Sequence, residues 1–241
     1  MKKRPRFQTK QELVYSALYE AIMDCTLAPG ERLIIDDISR QLEVSHIPVR
    51  EAISQLQSER LVFIVPHSGA TVSPITRESI HEVFVLMEGL ELVSMEIATA
   101  RLSPADFDRL EQLLAEMDAA IDAGEVEQWS HLNATFHREI TAATAMPRVI
   151  EMLGRTLDHW DRIRRYFGIT PGRLAEAQAE HHEILAALVS HDVEHLRTLA
   201  RQHSRRALEA YMLELDTNPA VTLTASSTGG SARLYRESRE E

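Results

Sequence analysis

The sequence predicts a mainly α-helical chain in two parts, a small helical head closed by a two-stranded hairpin and an all-α antiparallel bundle of six or seven helices. Three observations carry this. Between Lys10 and Ser73, apolar residues recur at helical spacing in three short runs and then give way to two short β-rich runs around Pro66-His67-Ser68-Gly69. Beyond Thr76 every run has the helical period, and none alternates as a strand would. The single Cys25 excludes an intrachain disulfide framework and is expected in a reducing cytoplasm; no apolar run approaches the roughly twenty residues of a membrane span.

The head begins after residues 1 to 9, expected to be a mobile basic arm carrying Lys2, Lys3, Arg4 and Arg6. From Lys10 to Thr26, Leu13, Val14, Ala17, Leu18, Ala21 and Ile22 mark a first helix, and Leu27 to Arg32, with Pro29-Gly30, the turn after it. Asp36 to Leu42 is a short amphipathic run in which Ile38 and Leu42 share a face and Asp36 can cap the start. Ser45 then caps another helix, whose Val49, Ala52, Ile53 and Leu56 fall at i, i+3, i+4 and i+7, leaving His46, Arg50 and Ser54 on the other side. Leu61 to Val65 and Ala70 to Ser73 are short strands joined by turn chemistry, so a hairpin follows the helix-turn-helix directly.

Helix-turn-helix plus hairpin is a winged helix, and in such a unit the second helix of the pair enters the major groove while the wing reaches the flanking backbone. Residues 1 to 75 carry nine Lys or Arg against nine Asp or Glu; the remainder carries seventeen against twenty-eight, which accounts for the whole formal charge of −11. A neutral head can meet DNA through one basic face, with modest and salt-sensitive affinity.

The segments Leu27-Ala28-Pro29-Gly30-Glu31-Arg32-Leu33 and Val44-Ser45-His46-Ile47-Pro48-Val49-Arg50-Glu51-Ala52, then Leu61-Val62 and the wing glycine Gly69, resemble the N-terminal domain of GntR-family bacterial transcription regulators. The resemblance implies DNA contacts from Ser45, His46, Ile47, Pro48, Arg50 and Ser54, and from His67 and Gly69 in the wing. His46 stands where that family commonly has arginine, and Asp36 where glutamate or arginine often occurs, so the operator sequence does not carry over.

The winged helix spans residues 10 to 75, and Ser73-Pro74-Ile75-Thr76 separates it from an effector-type bundle of residues 76 to 215. Thr76 can cap a long helix to about Ala100; Ser103-Pro104-Ala105-Asp106 starts another that stops at Gly124. Further helices are predicted near 125 to 143, 147 to 167, 173 to 190 and 192 to 214. Residues 216 to 241, rich in Ser, Thr and Gly, are expected to be a disordered tail.

Three bundle helices each place a histidine on an apolar stripe: His137 with Trp129, Asn133, Phe136 and Ile140; His181 with Leu174, Ala177, Ile184 and Leu188; and His203 with Leu196, Leu199, Ala200 and Ala207. Polar groups on core stripes are costly without partners. A divalent cation held by Asn133, His137, His181 and His203 would satisfy them together; separately hydrogen-bonded histidines are the alternative in a chain with eleven. His182, His191 and His195 lie off the stripes and are expected in solvent.

The same positions, Asn133-x3-His137, His181 before Ile184-Leu185 and Ala187-Leu188, and Asp192 with His203, resemble the FCD ligand-binding domain of the FadR-type branch of that family. The resemblance implies a divalent metal, commonly zinc or nickel, and a small organic-acid effector. Closed two-fold pairs are the common assembly and helix-turn-helix dimers read two-fold sites, so a homodimer on a pseudo-palindromic double-stranded operator is expected, acting as repressor or activator. Asn133 replaces the aspartate that many members carry, and Met87 an arginine, which leaves the metal as the chief anion anchor. Two other functions stay open: a metal-sensing regulator, and a metal-dependent hydrolase with a DNA-targeting head. Against the hydrolase, no glutamate is expected beside the histidines and there is no HExxH.

Overall fold

The computed structural model describes residues 9–65, 69–167 and 171–217. The basic arm before Thr9, His67 and the segment after Thr217 lie outside the described residues. The chain divides into two units between Ile75 and Thr76, each with its own core.

In the first unit, Thr9 caps α1 (Lys10–Met23) through a capping box with Glu12. That helix buries Val14, Leu18 and Ile22. It stops at Met23 rather than Thr26, because Cys25 has a positive φ of 61° that no helix continues through. After it come β1 (Arg32–Leu33), α2 (Ile35–Gln41) and α3 (His46–Ser58). The N-cap of α2 is Ile34, without a side-chain hydrogen bond, and Asp36 sits inside the first turn. Asp36 therefore complements the helix dipole instead of capping it. Glu43, at φ 52°, makes the tight turn, and Val44 N–H closes it on the Ser39 carbonyl. Ser45 is the N-cap of α3 by position, yet its side chain makes no capping bond. The expected stripe of α3 is the buried one: Val49, Ala52, Ile53 and Leu56 are each at most 3 % exposed.

The wing is β2 (Val62–Val65) paired antiparallel with β3 (Gly69–Val72). It is not confined to two strands, because β1 pairs with the other edge of β3 and makes a three-stranded sheet of order β1-β3-β2. Two residues are too short to show alternation, so the sequence presents β1 only as turn.

The second unit is all helical in its described residues, with α4 (Arg77–Thr99), α5 (Pro104–Asp122), α6 (Val126–Ala142), α7 (Pro147–Phe167), α8 (Pro171–Val189) and α9 (Val193–Thr217). Thr76 and Ser103 each close a capping box, and Pro104 occupies the first turn of α5. Gly124, at φ +71°, supplies the left-handed turn between α5 and α6. α4 packs on α6, α7 and α9, and α8 lies against α5 and α9. Residues from α6, α8, α9 and α4 thereby converge inside the bundle.

Candidate metal centre and nucleic-acid interface

In the head, α3 leaves Ser45, His46, Ile47, Arg50 and Ser54 exposed along one side, with Ile47 67 % accessible. Pro48 is different. It is buried in the first turn of α3, where its missing N–H leaves no hydrogen bond unmade, so it shapes the helix start. His46 Nε2 lies 3.2 Å from Asp36 Oδ1, with both side chains mostly exposed, so the two departures from the family pattern face each other. Gly69 opens β3 at φ +94°, a conformation L side chains rarely adopt.

In the bundle, His137 on α6, His181 on α8 and His203 on α9 are all buried, and one nitrogen from each lies within 4.8 Å of the others. His181 has no exposure, and neither ring nitrogen has a hydrogen-bond partner among the described residues. Burial, with His203 and His137 alongside, pushes it well below the ordinary histidine range, so it is a neutral imidazole. Phe136 and Trp129 pack on its ring at centroid distances of 5.3 and 6.0 Å. Trp129 is held in turn by Gln178, whose side chain accepts from the indole N–H at 3.3 Å and donates to the Leu114 carbonyl at 3.1 Å. Asn133 is buried one turn before His137, and its Oδ1 has no partner among the described residues.

Two glutamates stand beside these histidines, contrary to the expectation that none would. Glu180 on α8 is 2.6 Å from His203 Nδ1 and also takes Arg173 and Arg206. Burial opposes its ionisation, but the bonds from His203 and Arg173 outweigh it and hold the carboxyl down at about 2. Glu91 on α4 is 2 % exposed, with Oε1 2.8 Å from His137 Nδ1 and Oε2 accepting from Ser204 Oγ at 3.3 Å. Burial works against its charge too, yet the His137 and His203 imidazoles beside it keep it below the usual carboxylate range. The sequence reading missed both because it weighed only the histidine-bearing stripes. Glu91 carries the same signal they do, falling on the buried face of α4 between Met87 and Met95.

A cavity opens over the cluster, with about 740 Å³ of empty space counted out to its mouth. Glu91, Asn133, His137 and His203 line it at one end. Met87, Trp129, Leu157, Trp160 and Tyr211 give it an apolar wall. Burial raises the Tyr211 phenol, which stays a hydrogen-bond donor. Arg173 lines the cavity too, a cation the sequence reading did not place there, although Glu180 and Glu176 already engage it. His182, His191 and His195 are exposed, and His182 pairs with Asp118.

A winged helix with an exposed groove-facing helix, carried on the same chain as a separate helical domain, defines a DNA-binding transcription regulator. The chain belongs to the gntR family of bacterial regulatory proteins, in the branch with an FCD domain: the former matches residues 10–72 and the latter residues 82–214. The HTH-type transcriptional regulator McbR of Escherichia coli (strain K12) is 32 % identical over 176 residues, 71 % of this chain and 78 % of the relative. The HTH-type transcriptional repressor GlaR of the same organism is 27 % identical, over 78 % of this chain and 90 % of the relative. The solved structure of E. coli McbR/YncC covers 86 % of this chain and 98 % of its own, at 27 % identity and a TM-score of 0.70. Both domains and these relatives are those of transcriptional regulators, not enzymes. No described helix is long and apolar enough to cross a membrane.

Proposed function

We propose that this regulator carries a divalent metal, zinc or nickel, among Asn133, His137, His181 and His203, and binds a small organic acid in the cavity above it. The observation that supports the reading is His181: a fully buried imidazole with two unpartnered nitrogens, set between two more histidines. A buried polar group without a partner is costly, and a shared cation removes that cost for three residues at once. The donor set fits such an ion, since Glu180 on His203 Nδ1 leaves that ring's other nitrogen to face it.

On this reading two chains pair on a pseudo-palindromic operator, each inserting α3 into a major groove with Arg50 foremost and the wing at Gly69 on the backbone. Both operate in the cytoplasm, and GlaR, a repressor by name, is a relative that favours repression. The acid shifts operator affinity only so far as it binds one arrangement of the paired chains better than the other.

The test is to select bound duplexes from a random pool, then measure operator affinity with metal-free, zinc-loaded and nickel-loaded protein against a panel of organic acids. About one metal per chain, an inverted-repeat operator and at least fivefold modulation by an acid are expected. A chain that takes up neither metal removes the centre from the reading. Modulation by metal alone makes the ion itself the signal.

A further inference from the structure

We propose that Glu91 is the anionic ligand of the metal centre in this chain, a carboxylate delivered from α4 to a site where α6 offers only the amide of Asn133. The inference rests on the metal reading above and adds to it a residue from a fourth helix.

Two carboxylates approach the histidines, and they do so differently. Glu180 makes a hydrogen bond to His203 Nδ1 at 2.6 Å and is held on its outer side by Arg173 and Arg206. That is the arrangement of an outer partner, which fixes a ligating ring and has its own charge answered elsewhere. Glu91 has no arginine behind it among the described residues. Its Oε1 is 2.8 Å from His137 Nδ1 without the alignment of a hydrogen bond, and neither atom has another partner among the described residues. Two such atoms held close and unbonded are placed as neighbours around a common centre. Metal–ligand bonds of about 2.0–2.2 Å put neighbouring donors roughly 2.9 Å apart at right angles and roughly 3.4 Å apart at tetrahedral ones.

Charge leads to the same residue. Three imidazoles and an amide bring no negative charge to a dication, and at 2 % exposure Glu91 is a buried carboxylate that accepts a hydrogen bond from the neutral Ser204 hydroxyl. A buried anion calls for a counter-charge, and a buried dication for an anion. With Glu91 bound, the centre keeps one net positive charge facing the cavity that Glu91, His137 and His203 all line.

The full-length protein, stripped by chelator, is titrated with Zn²⁺ against a chromophoric competitor and with Co²⁺ by visible absorption. The variants are Glu91→Gln, the double variant Glu91→Gln/Asn133→Asp, and His181→Ala. Glu91→Gln is expected to weaken Zn²⁺ binding at least 100-fold and to change the position and intensity of the Co²⁺ bands. The double variant recovers most of the affinity by returning a carboxylate from α6. Zinc affinity within threefold of the parent, or weaker binding with an unaltered Co²⁺ spectrum, overturns the proposal by placing Glu91 outside the coordination sphere. In either case the parent still binds and His181→Ala does not, so the metal reading survives. A parent that binds no better than His181→Ala overturns both. Should Glu91→Gln fail to fold, Glu91→Asp takes its place, with at least a tenfold loss and shifted Co²⁺ bands expected, and unchanged binding and bands again decisive against.

Discussion

Arg50 is a single side chain on which much of the head's selectivity is expected to rest, because it is exposed on α3 midway along the face that also carries His46 and Ser54. Replacing it with Ala should weaken operator binding by about 1–3 kcal/mol and relax the preference at one base position if the guanidinium reads a base edge. A loss equal across all sequences would instead assign it to a phosphate, and unchanged binding would take it out of the interface. The histidines of the bundle were legible at this scale for a simple reason: a polar residue on an apolar stripe breaks the pattern. Glu91 breaks the same pattern on α4, between Met87 and Met95. It went unread because the histidine that α4 does hold, His81, is exposed and off that stripe, and nothing in one dimension says that α4 lies against α6. Arg173 escaped for the opposite reason, as a charged residue near a helix start that looks ordinary until the cavity wall is assembled.

Among the elements, the bundle helices were legible nearly to the residue, since Thr76, Ser103-Pro104, Gly124 and Pro147 are start and stop chemistry that depends on local backbone alone. The head's short elements were less so. α2 begins at Ile34 without a side-chain cap, and β1 is two residues whose only reason to be a strand is the free edge of β3. Such elements exist through tertiary pairing, which local pattern does not encode. The caps can be weighed directly. Ser103→Ala removes the side chain that accepts from Asp106 N–H and should cost the bundle about 1 kcal/mol, read as a lower urea midpoint at unchanged slope. A midpoint that does not move would mean that the α4–α5 connection, not the cap, fixes the start of α5.

At the scale of the whole molecule, each unit has a separate apolar core, so one unfolding free energy does not describe the chain. Calorimetry should resolve two transitions. Zinc is expected to raise only the transition that belongs to the bundle, by about 2.7 kcal/mol of stabilisation at a hundredfold excess over the dissociation constant. Operator DNA should raise the other one. If zinc moved both equally without DNA, the metal would be acting outside the histidine cluster. Charge is divided the same way: residues 1 to 75 balance nine basic against nine acidic residues, and the excess acid lies entirely beyond them. The acidic bundle repels a polyanion, so contact with DNA falls to the head and should fade steeply as salt rises.

His181 is wholly buried and off the cavity wall, while His137 and His203 line it. An ion seated among the three would have two ligands on the cavity wall and a third wholly out of solvent. Its exchange would then require that buried third ligand to let go, whereas an acid at the cavity mouth could come and go within the lifetime of one bound ion. The metal would serve as a durable fitting of each molecule, slow to leave once bound, and the acid would carry the changing news of the cell.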